Sequence, residues 1–440
     1  MDRIKIESSR WIVVYAFVFA VMASPAQTLE ECVALALENN LEFQKQQLNP
    51  MLAQNDMAEK KSSNYGKLSV VSSYTHYNLP RTLAPLTPAS ILTDPMAVPT
   101  TEDLFNAGLV YELPLFTGFA QTHSVEISAL QQEMAHAAVA LNREQLVYNV
   151  KTLYVNILSL RSQEEAQSAY IEALQRLHDD ITREMELGKK ARIDQLKAAA
   201  DLKSGQSKQT QLSADLAIMK NSLANLLNID QIDQVHDIAH APELMVDVSD
   251  GLTGLKRLQA VRLATEKDHR FVMKTQAARY PQLFLNASYG QNFGPNDDSN
   301  ANSGDWQNQE VWQAGVILKW DIFNFGNTKS KIQKARIVER QSLYEQEQVE
   351  QELARALKEA VTRINVAVSE YHSAEEELAL TRETETIEQV RFKQGSADTG
   401  DLLYAKARNQ FAHSRFINAG YRYKTAQFHL DYLLEKGEDR

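Results

Sequence analysis

A single cysteine, Cys32, stands among 440 residues. That excludes a disulfide framework and every cysteine-rich metal site. A lone thiol suits an oxidising envelope compartment, where spare thiols are a hazard. Proline is scarce and unevenly placed: there are 11, with none between Pro114 and Pro242 and none after Pro295. Only Gly118, Gly188 and Gly205 interrupt the first of those gaps. An excess of positive charge is missing too. Lys and Arg number 46 against 57 Asp and Glu, a formal net charge of −11, so bulk charge gives no support to nucleic-acid binding. The 10 histidines are scattered without an HExxH pattern, and no glycine-rich phosphate loop follows a strand pattern. Neither an enzyme nor a cofactor or metal is expected; carboxylates on helices read as solvated faces and i,i+4 pairs.

Long apolar runs are also lacking. The one candidate, Trp11–Met22, has 12 residues and is too short to span a bilayer as a helix. It follows the basic residues Arg3, Lys5 and Arg10, diluted by Asp2 and Glu7, and precedes Ser24 and Ala26, which fit the −3 and −1 positions of a cleavage site. Residues 1–26 therefore read as a secretory signal peptide, with a short N-terminal anchor as the alternative. Its removal takes away three positive and two negative charges and leaves the mature chain near −12. Glu31 occupies the place where a lipobox needs a small residue, which excludes a lipoprotein reading of Cys32. Downstream no stretch reaches 18 apolar residues, so a transmembrane helix is not expected. An exported chain of this kind is either soluble or part of a β-barrel.

What fills the proline-free gaps is helix former: Ala, Leu, Glu, Gln and Lys without breakers. The tract from about Phe119 to Leu187 predicts a helix roughly 100 Å long, and the tract from about Asn327 to Gln394 an equal one. In the latter Leu353, Leu357, Ala360, Ile364, Ala367, Tyr371, Ala374 and Leu378 follow a strict 4-3-4-3 spacing, a heptad seam that favours coiled-coil packing. Half-length return helices are expected at about 194–227 and after Asp401, with a further segment at 252–279.

The chain repeats itself. Adding 207 to Gly108, Gly188, Asp194, Leu196, Leu226 and Leu227 lands on Gly315, Gly395, Asp401, Leu403, Leu433 and Leu434. Upstream, Tyr65, Leu68 and Tyr74 match Tyr280, Leu283 and Tyr289 at an offset of 215, so one connection in the first copy is eight residues longer. This predicts an internal tandem duplication: signal peptide 1–26, first repeat 27–227, equatorial linker 228–250, second repeat 251–440 with its C-terminal tail.

Each copy holds one strand pair, expected at about 67–77 and 104–116, then at 282–293 and 311–323. Trp312, Ala314, Val316, Leu318 and Trp320 alternate with a mainly polar set; Phe105, Ala107, Leu109, Tyr111 and Leu113 do the same. Leu283, Leu285, Ala287 and Tyr289 share a face, and Leu68, Val70, Ser72 and Tyr74 are their equivalents. Period-2 alternation with aromatics at the ends is the pattern of a membrane β-strand, here giving an aromatic belt of Phe105, Tyr111, Trp312 and Trp320. A soluble hairpin with one buried face is the alternative. Four strands cannot close a barrel, and an open edge is not tolerated in lipid, so several chains must share one.

The order of signal peptide, strand pair, long helix, Gly-x5-Asp turn and half helix, given twice, resembles the TolC-like outer membrane efflux proteins. The opening TLEECVALALENN (Thr28–Asn40) is similar to that family's first helix, and the likeness covers about residues 28–436. It implies a mainly α chain with a membrane β-barrel: a homotrimer whose four strands per chain build a shared 12-stranded barrel above a long α-helical coiled-coil barrel. It implies a passive exit duct in the outer membrane of a Gram-negative cell, extending into the periplasm. Its partners would be a periplasmic adaptor (a membrane fusion protein), an inner-membrane transporter of RND or ABC type and outer-membrane lipid. Type I protein secretion is the alternative role. A soluble periplasmic coiled-coil or adaptor protein is the alternative of another class, although no lipoyl-like β-domain of an adaptor is visible.

The resemblance places the turns LGKKARIDQL (Leu187–Leu196) and QGSADTGDLL (Gln394–Leu403) at the periplasmic tip. Gly188 and Gly395 are expected to end helices in the left-handed conformation. Asp194 and Asp401 read either as helix N-caps or, for Asp401, as one third of a carboxylate ring at the aperture. Asp398 and Asp194 lie beside it, and Leu196, Leu402 and Leu403 are expected to face the adaptor or a neighbouring helix, with ordinary core packing as the equal alternative. The pattern departs from the family's where Tyr404 replaces a second acid one turn on and Ala397 replaces a basic residue, so the expected gate is Asp401 with a Tyr404 collar.

Overall fold

The computed structural model describes residues 27–93, 98–239, 241–242, 254–296 and 304–437. The expected signal peptide lies outside them, as do residues 240 and 243–250 of the expected linker. The chain opens with α1 (Leu29–Asn39), started by a capping box: the Thr28 hydroxyl accepts from the Glu31 N–H at 3.2 Å, and the Glu31 carboxylate accepts from the Thr28 N–H at 2.9 Å. Then come α2 (Leu41–Gln47), capped by Asn40, and α3 (Asn49–Ser62), with a proline in its first turn.

Four strands and five further long helices follow: β1 (Lys67–Thr82), β2 (Thr100–Phe116), α5 (Ala120–Glu186), α6 (Arg192–Leu227), α7 (Lys256–Gln276), β3 (Gln282–Pro295), β4 (Trp306–Lys319), α8 (Asn327–Lys393) and α9 (Thr399–Leu433). A six-residue helix, α4 (Pro88–Thr93), lies between β1 and β2. Both α5 and α8 have 67 residues, about 100 Å along the axis. The strand-to-helix joints use the same backbone device: Gly118 and Phe119 at φ 65° and 71°, Phe325 and Gly326 at φ 53° and 84°. The return helices end alike as well, on Asn228 at φ 53° and Glu435 at φ 55°. In both, the following N–H reaches back five residues (Ile229 to Ala224, Lys436 to Asp431), closing a Schellman turn.

The four strands form one antiparallel sheet in the order β1-β2-β3-β4. Its register brings the expected apolar sets together. Val70 pairs with Leu109, Leu109 with Tyr289 and Tyr289 with Trp312; Tyr111 pairs with Leu68 and Ala287, and Leu285 with Val316. The opposite face carries Asn106, Glu112, Asn286, Ser288, Asn292 and Gln313, with Gly108 against Gly290. A Cβ on Gly108 would sit 2.7 Å from the Tyr289 carbonyl, so only glycine allows this approach.

Three strands differ from their expected bounds at one end, and β4 at both. β1 runs five residues further, passing Pro80 through a register shift between His76 and Arg81, as an edge strand can. β2 begins four residues earlier and bulges at Pro114, which has no N–H to give. β4 starts five residues earlier, at Trp306, and stops at Lys319 because its partner β3 begins there, at Gln282 behind Pro281.

Contact density divides the chain into two compact units, each assembled from three segments. In the unit formed by 37–149, 242–373 and 422 onward, Leu353, Leu357, Ala360, Ile364 and Ala367 of the seam pack on Leu255, Leu258, Tyr423, Leu430, Leu433 and Leu434. Glu435, just past α9, accepts from the N–H groups of Lys256 and Arg257, and so finishes the first turn of α7, whose own N-cap, Leu255, has no side chain to offer. The His429 ring lies tilted against Tyr148 at 5.8 Å between ring centres.

In the other unit, Gln27 and Val235 form a parallel β-bridge. The fully buried Tyr154 hydroxyl lies 2.9 Å from the Gln27 carbonyl and 2.7 Å from that of His236, and its one proton serves either. Arg161 donates to the Val235 carbonyl at 2.9 Å and Tyr421 to Asp237 at 2.6 Å. The described part of the expected linker is therefore clasped at residues 235–237 and is not a loose loop. Cys32 is completely buried in this unit; burial, then the charges of Glu31 and Glu30, push its thiol up to about 12, so it stays protonated and inert at neutral pH.

Two outcomes follow for the seam and its surroundings. Leu357→Ala, at a site 5% exposed, lowers unfolding stability by about 2–5 kcal/mol, while the exposed Glu359→Ala costs less than about 0.5; denaturant midpoints in detergent check this. Burial, then Arg363 and Arg257, hold the His429 pKa below 6.5. The folded state thus resists protonation there: its stability is intact above pH 6.5 and falls as pH drops through the lowered folded value. His429→Phe flattens the acid side of a thermal-melting profile taken from about pH 7 to about pH 5.

Candidate functional site

The two helical turns are built alike. Glu184 and Arg391 carbonyls accept from the N–H groups of Lys189 and Ser396, and Met185 and Phe392 carbonyls from those of Gly188 and Gly395. This double bond requires a left-handed residue, supplied by Gly188 at φ 72° and Gly395 at φ 74°. A Cβ at either glycine would meet nothing within 4 Å, so conformation and not space selects glycine. Arg391 adds a bond to the Ser396 carbonyl at 3.4 Å and an ion pair to Glu388 at 2.6 Å.

Beyond the turns the two copies diverge. The Asp401 N–H donates to the Asp398 carboxylate at 2.8 Å, so Asp398 caps α9. The expectation of an Asp401 N-cap is corrected: it lies in the first turn, exposed, with a carboxylate that has no partner among the described residues. Asp194 is not a cap either. α6 starts from Ala191 with no side-chain bond, and Asp194 sits in its first turn, where a negative charge suits the helix dipole. The offset of 207 pairs Asp398 with Ala191, so only the second copy has the cap residue.

Tyr404 is 71% exposed, one turn from Asp401 on α9, and Leu196 is 54% exposed on α6. Leu403 is buried at 6% and Leu402 half-buried. Leu403 is thus committed to packing; its position four residues before Ala407, also buried, puts it on the core side of α9.

On the sheet, Trp312 stands mid-strand and 70% exposed, because β4 begins six residues before it. Trp320 follows the strand's other end and donates its indole N–H to the Arg279 carbonyl at 3.1 Å. Tyr111 donates to the Tyr65 carbonyl at 2.8 Å. Phe105 joins an aromatic cluster with Tyr74 at 4.8 Å, Trp306 at 5.4 Å and Phe293 at 5.5 Å between centres. Trp306 and Phe293 were missed by reading alternation only inside the apolar run; Asn308 and Glu310 interrupt it on β4 and hide the continuation. Among the described residues, β1 and β4 each leave one edge without a partner strand. No cluster of potential metal ligands occurs among those residues, and no helix there is long and apolar enough to cross a membrane.

Comparison with known proteins settles what such a chain is. The outer membrane efflux protein family matches residues 32–228 and 251–434. The chain belongs to this family. It is 21% identical over 343 residues to the outer membrane protein TolC of Vibrio cholerae, covering 74% of this chain and 75% of that one. Its fold is similar to the CmeC outer membrane channel of Campylobacter jejuni, with a TM-score of 0.78 at 17% identity over 93% of this chain and 86% of that chain. VceC of Vibrio cholerae matches with a TM-score of 0.74 at 16% identity over 92% and 96%. This efflux protein is thus an outer-membrane channel protein and not an enzyme, located in the Gram-negative outer membrane and extending into the periplasm.

At the α9 turn, Asp398→Ala removes a cap and costs about 1 kcal/mol of local stability, whereas Asp401→Ala does not. Amide exchange of the first α9 turn, faster in the former variant alone, checks the assignment.

Proposed function

We propose that this efflux protein is the passive exit duct of a tripartite efflux system, working as a homotrimer. The reading rests on one observation: the sheet has an apolar face, a polar face and, among the described residues, two open edges. Lipid supplies no hydrogen bonds, so an edge inside it must be paired. Pairing β4 of one copy with β1 of the next, around three copies, gives 12 strands and no edge. From Trp312 on β4 to Trp320 just past its end is eight residue steps, about 26 Å along the strand and roughly 20 Å when tilted by about 40°, close to the height of a membrane-barrel band. Phe105, Tyr111, Trp312 and Trp320 then meet lipid, and the amide-rich face lines the lumen.

The repeat at offset 207, with the same left-handed joints and Schellman turns at matching positions, supports a tandem duplication. The expected units are 27–227 and 251–440, joined by an equatorial linker, 228–250. In this reading the turns at Gly188 and Gly395 form the periplasmic tip. Leu196 and Leu402 there meet a periplasmic adaptor, which links the duct to an inner-membrane transporter of RND or ABC type. Three Asp401 carboxylates, freed from capping by Asp398, form a ring at the aperture with Asp194 nearby and a Tyr404 collar. Such a ring attracts cations.

Sizing of the full chain in detergent, followed by planar-bilayer recording, tests this. The expected result is a three-chain particle whose conductance is reduced by divalent cations on the turn side, with the reduction lost in Asp401→Ala. A particle of one chain overturns the shared barrel, and an unchanged divalent effect in the variant overturns the ring.

A further inference from the structure

We infer that the turn after β1, residues 83–87, folds into the lumen and acts as a size sieve at the outer mouth; the inference rests on the proposed barrel with its polar face inward. The placement comes from which face of the sheet holds the turn. Asn106 and Asn292 are register partners on the polar face, opposite the face of Phe105 and Phe293. The Asn106 side-chain amide donates to that of Asn292 at 2.7 Å, and Asn292 in turn donates to the Leu83 carbonyl at 2.7 Å. Both ends of the Asn292 amide are thereby used, and the chain leaving β1 is held against the polar face.

Burial agrees. Leu83 is 1% exposed, although it lies past the end of a strand whose residues are largely exposed. Asn296, at the end of β3, is 1% exposed and accepts from the Thr100 N–H at 3.2 Å, tying the β3 end to the start of β2. A cavity of about 430 Å³ lies beneath, lined by Leu83, Leu86, Thr93, Val98 and Pro99 of the connection and by Gln309 of β4. Gln309 pairs with Asn292, so the cavity too is on the polar face. Leu83 is the anchor and Leu86, 45% exposed, is the projecting side chain. Around a threefold axis three such turns stand in one lumen beside the amides of Asn106, Asn292 and Gln309, and three Leu86 side chains make an apolar collar that narrows the mouth.

The inert Cys32 allows a direct test in the full-length chain, because a second cysteine is then the only reactive thiol. Gln313→Cys, exposed on the polar face of β4, is labelled on intact cells with a small maleimide and with polyethylene-glycol maleimides of increasing size. The expected result is labelling by the small reagent and a sharp size limit for the large ones. Adding Asn292→Ala releases the turn and speeds labelling by the large reagents severalfold, with the small reagent unchanged. Adding Leu86→Trp, at an exposed site, slows them severalfold. Equal labelling by all sizes, or the same size limit in both added variants as in Gln313→Cys alone, overturns the sieve and leaves the duct intact. Failure of even the small reagent to reach Gln313→Cys, with Trp312→Cys labelled in its place in detergent-free membranes, overturns the assignment of faces and with it the proposed barrel.

Discussion

Hydrogen bonding at a sheet edge is the constraint on which the rest of this molecule turns. Water can satisfy an exposed strand edge, but hydrocarbon cannot, and each backbone group left bare there costs several kcal/mol. A chain of this family must therefore reconcile a four-stranded sheet with a membrane address. Its strands are long, flat in pattern and apolar on one side, which is hazardous for a soluble protein and serviceable for one whose edges find copies of themselves. The proposed trimer follows from that requirement more directly than from any feature of the helices.

The helices obey a different economy. α8 has no continuous apolar surface; it carries a narrow seam, Leu353 to Ala374, with small residues at Ala360, Ala367 and Ala374, all buried. Small seam residues let backbones approach, and a narrow seam leaves the other flanks available for neighbours. Ile337, Tyr344, Val366 and Leu380 are exposed on those flanks. The polar clasp around Gln27, Tyr154, Arg161 and Val235 adds directional bonds where the backbone leaves regular structure, and so satisfies groups that packing alone would strand.

Much of this was legible in the sequence, for reasons that can be named. Alternation over ten residues gave the faces of all four strands, because a strand's side-chain period is set by its backbone and every apolar residue then lands on one side. The heptad seam was legible for the same reason, and the repeat at 207 placed both Gly turns. What escaped depends on partners far away in the chain or on a single backbone angle. Asp398 and Asp401 are alike in type and three residues apart; which of them caps α9 is decided by where the helix starts. Tyr154 reads as one more residue of a long amphipathic helix, since its carbonyl partners are 127 and 82 residues away. Asn292 gives no local sign of holding Leu83, 209 residues before it. Strand ends shifted because a ladder stops when the partner strand stops, which no single segment records.

The contact of Glu435 with the start of α7 ties one end of each of two helices together. The free amides that open α7 are answered by a carboxylate 179 residues further on. Without it that helix begins frayed, and the seam it joins loses a firm neighbour. A lesion just past α9 is therefore felt at the opening turn of α7, a place it does not touch in sequence.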